Sequence, residues 1–291
     1  MSALPAPDPM TSPTLPDDVA AVVSVALAED LGAGDLTADL IDPKARGRAR
    51  IIAREPAVLC GRAWVDETFR QIDAAIVTVW RAKDGDRVAP DSVVCELGGP
   101  ARGLVTGERT ALNFLQTLSG TATATRALVE LLAGTKTRVL DTRKTLPGLR
   151  LAQKYAVRCG GGENHRLGLY DAVLIKENHI AAVGSLAKAV QAARRRAPDV
   201  PLEVEVESLV ELAEALDTDA DRIMLDDFAI GDVQRAVALR DRHVGKRKEL
   251  EVSGGVQADA LAAIAATGVD FVSVGALTKH LRAIDFSMRF V

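Results

Sequence analysis

From residue 17 the chain follows a helical period, with Val19, Val22, Val23, Ala26 and Leu27 on one face. Asp17 stands where a helix cap belongs, and Gly32 stands where the helix can end. Short β-branched runs at 49–53 and 75–80 follow, punctuated by the turn residues Asp84-Gly85-Asp86 and Gly98-Gly99-Pro100. Residues 17–116 therefore read as a mixed α/β N-terminal domain. Residues 107–132, GERTALNFLQTLSGTATATRALVELL, return to helical spacing, are interrupted at Ser119-Gly120, and are expected to bridge two domains.

From about residue 138 one theme repeats, a short apolar strand followed by a helical stretch. The strands are RVLD, DAVLIK, LEVEVE, DRIMLD, LEVS and DFVSV, and six such units imply a parallel sheet. Stretches such as SLAKAVQAARRRA and DVQRAVALRDR carry alanine and leucine at helical spacing and can cover that sheet. In LEVEVES, Glu203, Glu205 and Glu207 alternate with Leu202, Val204 and Val206, so one strand face is acidic and the other apolar. A closed or nearly closed β/α barrel over residues 117–280 accommodates the acidic face inside, although an open doubly wound sheet has the same sequence signature. Residues 281–291 are expected to pack back on the N-terminal domain.

The 291 residues, 48% apolar and 26% charged, suit a soluble protein with a sizeable core, and the length favours two domains. The proline-rich opening over residues 1–16 cannot bury a face and is expected to be a mobile tail. It has neither the basic start nor the apolar run of a signal peptide, and no stretch is long enough to span a membrane, so a cytoplasmic location is expected. A net charge of −4 gives no basic field for nucleic acid, so any anion site must be local. Cys60, Cys95 and Cys159 are odd in number and far apart in sequence, which argues against a disulfide framework or a structural zinc. Cys159 is read as a buried small residue.

The strand ends carry the chemistry, because β/α barrels place it on their C-terminal rim. In order they are Asp141-Thr142-Arg143-Lys144, Lys176, Glu205, Asp226, Ser253-Gly254-Gly255 and Gly275. The first two are basic, the next two acidic and the last two glycine-rich, an order that suggests a single ligand. Glycine turns after the last two strands can hold a phosphate on backbone N–H groups; each alone is equally a strand terminator. Glu205 and Asp226 end adjacent strands and can hold magnesium together with substrate phosphates, or can belong to a salt-bridged interior. Between 138 and 176, Arg138, Arg143, Lys144, Arg150, Lys154, Arg158, Arg166 and Lys176 face only Asp141, Glu163 and Asp171, a local excess of five positive charges. That excess implies a ligand with several anionic groups, arginine gripping carboxylates and lysine meeting phosphate. Tyr155 and Tyr170 alone could stack bases there, which disfavours nucleic acid. His165 is a structural histidine unless its neighbour Arg166 makes it a substrate contact, and His179 is read as support for Lys176. Lys176 ending a barrel strand also permits a Schiff-base aldolase.

Eight strings in order resemble the quinolinate phosphoribosyltransferase family: EDLGAGDLT, ERTALNFLQTLSGTAT, DTRKTLPGLR, QKYAVRCGGGENHRLGLYDAVLIKENHI, EVEVES, MLDDF, SGGV and VGALTKH. The resemblance covers nearly everything after residue 16. It implies an N-terminal α/β sandwich domain, an incomplete parallel β/α barrel, and a homodimer or higher oligomer whose active sites lie at the interface. It also implies transfer of a phosphoribosyl group from 5-phosphoribosyl-1-pyrophosphate to quinolinate with decarboxylation, in NAD biosynthesis. Arg109 would then reach the partner's site and hold a carboxylate, completed by Arg143, His165 and Arg166. Lys144 and Lys176 would face the phosphoribosyl pyrophosphate, and Glu205 and Asp226 its Mg2+. Thr142, Ser253, Gly254, Gly255, Val274, Gly275 and Ala276 would line the site, the 5-phosphate lying on 253–255 and Gly275. Lys144, Lys176, Glu205 and Asp226 would be the catalytic group. Two positions depart from the pattern: Lys279 interrupts the usual threonine–histidine step, and Asp227 stands where asparagine is common, adding charge beside Asp226.

Overall fold

The computed structural model describes residues 13–291, which divide into two compact units. The first comprises the described residues up to Arg126, then Thr145–Gly161 and Leu277–Val291; the second comprises Ala127–Lys144 and Gly162–Ala276. The tail expected over 1–16 falls outside the described residues as far as residue 12, and 13–16 have no regular structure.

In chain order the first unit begins with α1 (Val19–Leu31), β1 (Arg46–Ala53), β2 (Ala57–Val58), α2 (Arg62–Ile72), β3 (Val77–Trp80), β4 (Arg87–Val88), β5 (Val93–Pro100) and α3 (Ala101–Leu131). There follow β6 (Arg138–Leu140), α4 (Arg150–Cys159), β7 (Val173–Ile175), α5 (Glu177–Val183), α6 (Leu186–Arg196), β8 (Leu202–Val206) and α7 (Leu209–Leu216). The chain ends with β9 (Arg222–Asp226), α8 (Ile230–Arg242), β10 (Glu249–Ser253), α9 (Leu261–Ala266), β11 (Phe271–Ser273), α10 (Ala276–Lys279) and β12 (Phe286–Phe290).

The first unit is built on an antiparallel sheet ordered β12-β1-β5-β3. Alternation along β1 buries Ala49, Ile51 and Ala53, while Phe286 and Met288 of β12 bury beside them, with Met288 opposite Ile51. Val65 and Phe69 of α2 and Leu104, Leu112 and Leu115 of α3 pack in the same core. Each such side chain contributes roughly 1.5–3 kcal/mol on burial.

Three local readings need correction. The cap of α1 is Asp18 rather than Asp17, and its side chain makes no capping bond. Gly98-Gly99-Pro100 is the end of β5, not a turn: a Cβ at Gly99 would lie 2.8 Å from Ile76 Cγ1, so the glycine serves close packing. Ser119-Gly120 does not interrupt α3. Ser119 Oγ bonds both the N–H and the carbonyl of Cys60, and a Cβ at Gly120 would meet the Arg282 carbonyl oxygen, so both small residues fit neighbouring backbone against an unbroken helix. Helix α3 continues to Leu131, and within the first unit α4 packs with α1 and α2 through Tyr155 and Ala156.

The second unit is a six-stranded sheet ordered β6-β11-β10-β9-β8-β7 with every pair parallel. Strands β6 and β7 are consecutive in sequence yet lie at opposite edges, which leaves the seam of an incomplete barrel. Glu163 lines the β6 edge, giving its N–H to Val139 O and taking that of Asp141. In a flat sheet β6 and β8 would stand about 19 Å apart. Here His165, tied to the end of β6 by Asp141, lies 2.8 Å from Glu203 of β8, so the sheet curls and the doubly wound alternative falls away.

Candidate functional site

Register places the inward side chains in layers. Arg222 stands opposite Glu203 and Glu249; Glu251 opposite Phe271 and Met224; Ser253 opposite Asp226 at the rim. The interior is therefore charged, and its arginines are ion-paired. Arg138 pairs with Glu163 at 3.1 Å and Arg222 with Glu249 and Glu251 at 3.3 Å, and both guanidiniums lie over the Phe271 ring, at 4.2 and 4.0 Å. Arg138 thus belongs to the interior network and not to an anion pocket. Arg150, Lys154 and Arg158 lie on α4 in the first unit, Lys154 buried, so the excess of five charges read from sequence is divided between two units.

Four cations remain at the strand ends of the second unit: Arg143, Lys144, Arg166 and Lys176. Asp141, fully buried, organises the first group by accepting the His165 N–H at 2.9 Å and the Asn164 amide at 2.6 Å. Arg166 is partly buried, and burial first, then the neighbouring Arg143 guanidinium, draw its pKa below the usual arginine value. Arg143 Nε is buried with no hydrogen-bond partner among the described residues. Two guanidiniums brought close enough to repel form a place where an anion is stabilised.

Thr142 Oγ1 accepts the Lys144 N–H at 3.1 Å, and Lys144 lies along Gly275, where a Cβ would sit 2.9 Å from Lys144 Cδ and 3.5 Å from Thr142 Oγ1. The loops after β6 and β11 thus touch. Val274 gives its N–H to Leu140 O and is buried, whereas Gly275 is partly buried and Ala276 exposed. Gly254 has φ +93° and Gly255 φ +52°, and a Cβ at Gly254 would lie 2.7 Å from Asp227 N and 3.3 Å from Asp226 Oδ1. Only glycine fits there, and successive left-handed residues present N–H groups of the kind that cradle anions.

Lys176 Nζ pairs with Glu205 Oε2, and the Lys176 N–H donates to His179 Nδ1 at 3.0 Å, which gives His179 its supporting role. Glu205 borders a recess of about 200 Å3 lined also by Glu177, Glu207, Glu211, Ile180 and Ala181. Glu205 and Asp226 point to the same face of adjacent strands, two register steps apart, with carboxylates suited to a hard cation. Asp227, the departure noted in the sequence, has φ 56° and gives its N–H to Ser253 O. That left-handed backbone suits asparagine and aspartate alike, so the residue holds the turn. Lys279, the other departure, is the exposed last residue of α10. Arg109 is exposed on α3 in the first unit.

One group escaped the sequence reading. His165 Nε2 lies 2.8 Å from Glu203 Oε2 and 3.7 Å from Glu251 Oε2. Burial raises both carboxyl pKa values; for Glu251, burial and then Glu203 push it up to about 8. The signal was present: ELEVS alternates as LEVEV does, placing Glu251 inward. A second group, Cys60, Asp84 and Cys159, lies in the first unit, where Asp84 accepts from Tyr155 OH at 2.9 Å and burial raises the Cys60 pKa.

Known proteins share this architecture. The family model for the quinolinate phosphoribosyl transferase N-terminal domain matches residues 35–119, and that for the C-terminal domain matches 121–289. A nicotinate-nucleotide pyrophosphorylase (carboxylating) of Mycobacterium leprae is 45% identical over 269 residues, spanning 90% of this chain and 94% of the relative. A quinolinate phosphoribosyltransferase (decarboxylating) of Nicotiana glauca is 37% identical over 293 residues, spanning 94% and 82%. The solved nicotinate-nucleotide pyrophosphorylase of Francisella tularensis superposes with a TM-score of 0.91 at 47% identity, covering 96% of this chain and 98% of that one. With both domain models matched in order and relatives alike over nearly their full length, the chain belongs to the quinolinate phosphoribosyltransferase family.

Proposed function

We propose that this chain joins the ring nitrogen of quinolinate to the ribose C1 of 5-phosphoribosyl-1-pyrophosphate, with loss of the 2-carboxylate. The products are nicotinate mononucleotide, pyrophosphate and CO2, a step of NAD biosynthesis. The observation that carries the reading is the Arg143–Arg166 pair, two partly buried guanidiniums near enough that Arg143 lowers the Arg166 pKa, with Arg143 Nε buried and without a hydrogen-bond partner among the described residues. A substrate with two carboxylates answers that charge. Arg109 supplies a further cation from the partner of a homodimer, and His165 completes the pocket.

Lys144, along Gly275, and the left-handed turn at Gly254-Gly255 suit the phosphates, with Thr142, Ser253 and Ala276 beside them. Glu205 and Asp226 would hold Mg2+, which supplies charge stabilisation for the departing pyrophosphate. As the C1–O bond breaks, positive charge grows on ribose and the quinolinate nitrogen attacks; electrons from the C2–carboxylate bond then stay on C2 as CO2 leaves, and C2 takes a proton from water. These steps need positioning and charge more than proton transfer. The Schiff-base alternative is disfavoured, since the Lys176 amino group is held against Glu205 and not presented free to a carbonyl. The direct test is formation of CO2 and mononucleotide from quinolinate with Mg2+. Equal or faster turnover of nicotinate, with no CO2, would overturn the substrate assignment.

A further inference from the structure

The barrel interior holds a cluster that the transfer chemistry leaves unused: Glu203, Glu251 and Arg222 behind the His165 ring. The main chain at His165 is fixed by Asp141, which accepts its N–H at 2.9 Å. The ring is hydrogen-bonded at Nδ1, while Nε2 is buried, makes no hydrogen bond among the described residues and stands in short contact with a carboxylate. Nδ1 accepts the Arg166 N–H at 2.7 Å, and because an amide N–H only donates, Nδ1 carries no hydrogen and the ring hydrogen belongs on Nε2. Nε2 in turn lies 2.8 Å from Glu203 Oε2, where two bare lone pairs would repel and an N–H is accommodated.

Glu203 is itself braced. It stands opposite Arg222 in the strand register; Arg222 Nη1 lies 3.3 Å from Glu251 Oε2, and its guanidinium covers the Phe271 ring. Glu203 is 6% exposed and Glu251 fully buried, so no substrate carboxylate touches either. The same three groups, His165, Glu203 and Glu251, lie close enough to suggest a metal site. A metal needs the Nε2 lone pair, however, and the Arg166 amide on Nδ1 places a hydrogen there instead.

Arg166 follows His165 directly, and its guanidinium has one long bond, Nη1 to Ala172 O at 3.4 Å. A side chain with four rotatable bonds is held in place only if its root is held. We propose that Glu203 is a positioning residue for the dicarboxylate substrate: through the His165 ring it fixes the main chain at Arg166 and so sets where that guanidinium stands. The inference rests on the reading that Arg166 meets a substrate carboxylate.

The test begins with the wild-type protein, whose four histidines make selective 15N labelling tractable. His165 is expected to show a protonated Nε2 and a bare Nδ1; the opposite tautomer, or a doubly protonated ring, overturns the proposal without any variant. Glu203→Met keeps the volume and removes the oxygen that stands against Nε2. It is expected to raise the KM for quinolinate about tenfold, while the KM for phosphoribosyl pyrophosphate stays within about twofold. Glu203→Gln, which keeps an oxygen against Nε2, is expected to restore the wild-type KM. An unchanged quinolinate KM in folded Glu203→Met, an equal rise for both substrates, or no rescue by glutamine each overturns the proposal. Arg166→Ala separates the two levels. If it leaves the quinolinate KM unchanged, the pocket reading fails and the inference falls with it; if it raises that KM and Glu203→Met does not, the inference alone fails.

Discussion

Lys176 and Glu205 are ion-paired across neighbouring parallel strands, so a group proposed to meet phosphate and a group proposed to hold metal are bound to each other. The pair holds the Lys176 amino group against a carboxylate. Incubation with borohydride and substrate is therefore expected to leave the protein mass unchanged. A substrate-dependent adduct on Lys176 would replace the transferase reading by a Schiff-base one. Lys176→Ala is expected to lower kcat/KM at least ~100-fold, the scale of losing one charge from a transition state.

Gly254 tests the phosphate cradle. A side chain there would be forced onto Asp227 N in a left-handed backbone, a strain of about 1–3 kcal/mol. Gly254→Ala is expected to raise the KM for phosphoribosyl pyrophosphate and to displace Asp226. Gly255→Ala, with open space around its Cβ, is expected to be milder. Steady-state kinetics against both substrates reads the difference, and equal effects would remove the packing argument.

Glu251 sets an alkaline limit on stability. Burial raises its folded pKa to about 8, above the ordinary 4.5, so the folded chain keeps a proton that the unfolded chain releases. The contribution is complete below the unfolded value and is lost as pH rises through 8. Urea unfolding at several pH values between 5 and 9 is expected to show this decline in the wild type and a flatter profile in Glu251→Gln. Parallel profiles would show that Glu251 does not titrate there.

Arg109 is proposed to act across a dimer. Mixing inactive Arg109→Ala and Lys176→Ala chains is expected to regenerate active sites, at most one per mixed dimer. Mixed dimers that form and stay inactive would place Arg109 in its own chain's site.

The parallel unit was legible because its signals are local: six strands with helices between them, and an inward acidic face in LEVEV that emerges fully buried. Strand ends were legible for the same reason, which is why Lys176, Asp226 and Ser253 fall where the pattern put them. Glycine misled the reading twice. At Gly99 and Gly120 the smallness of the residue answers a neighbour distant in sequence, Ile76 and Arg282, and no local pattern contains that neighbour. The net positive stretch from 138 to 176 was overread because sequence adjacency mixes two units, α4 departing to the first while its flanks stay in the second. Glu251 was missed since its partners lie on other strands.

Strand β12 gives the first unit an order of assembly in time. Its sheet contains Arg46–Ala53 beside Phe286–Phe290, so residues far apart in the chain must be present at once. During vectorial synthesis every strand of the parallel unit leaves the ribosome before β12 does. The unit whose strands begin first is therefore completed last, and until β12 emerges its core waits without Met288 opposite Ile51.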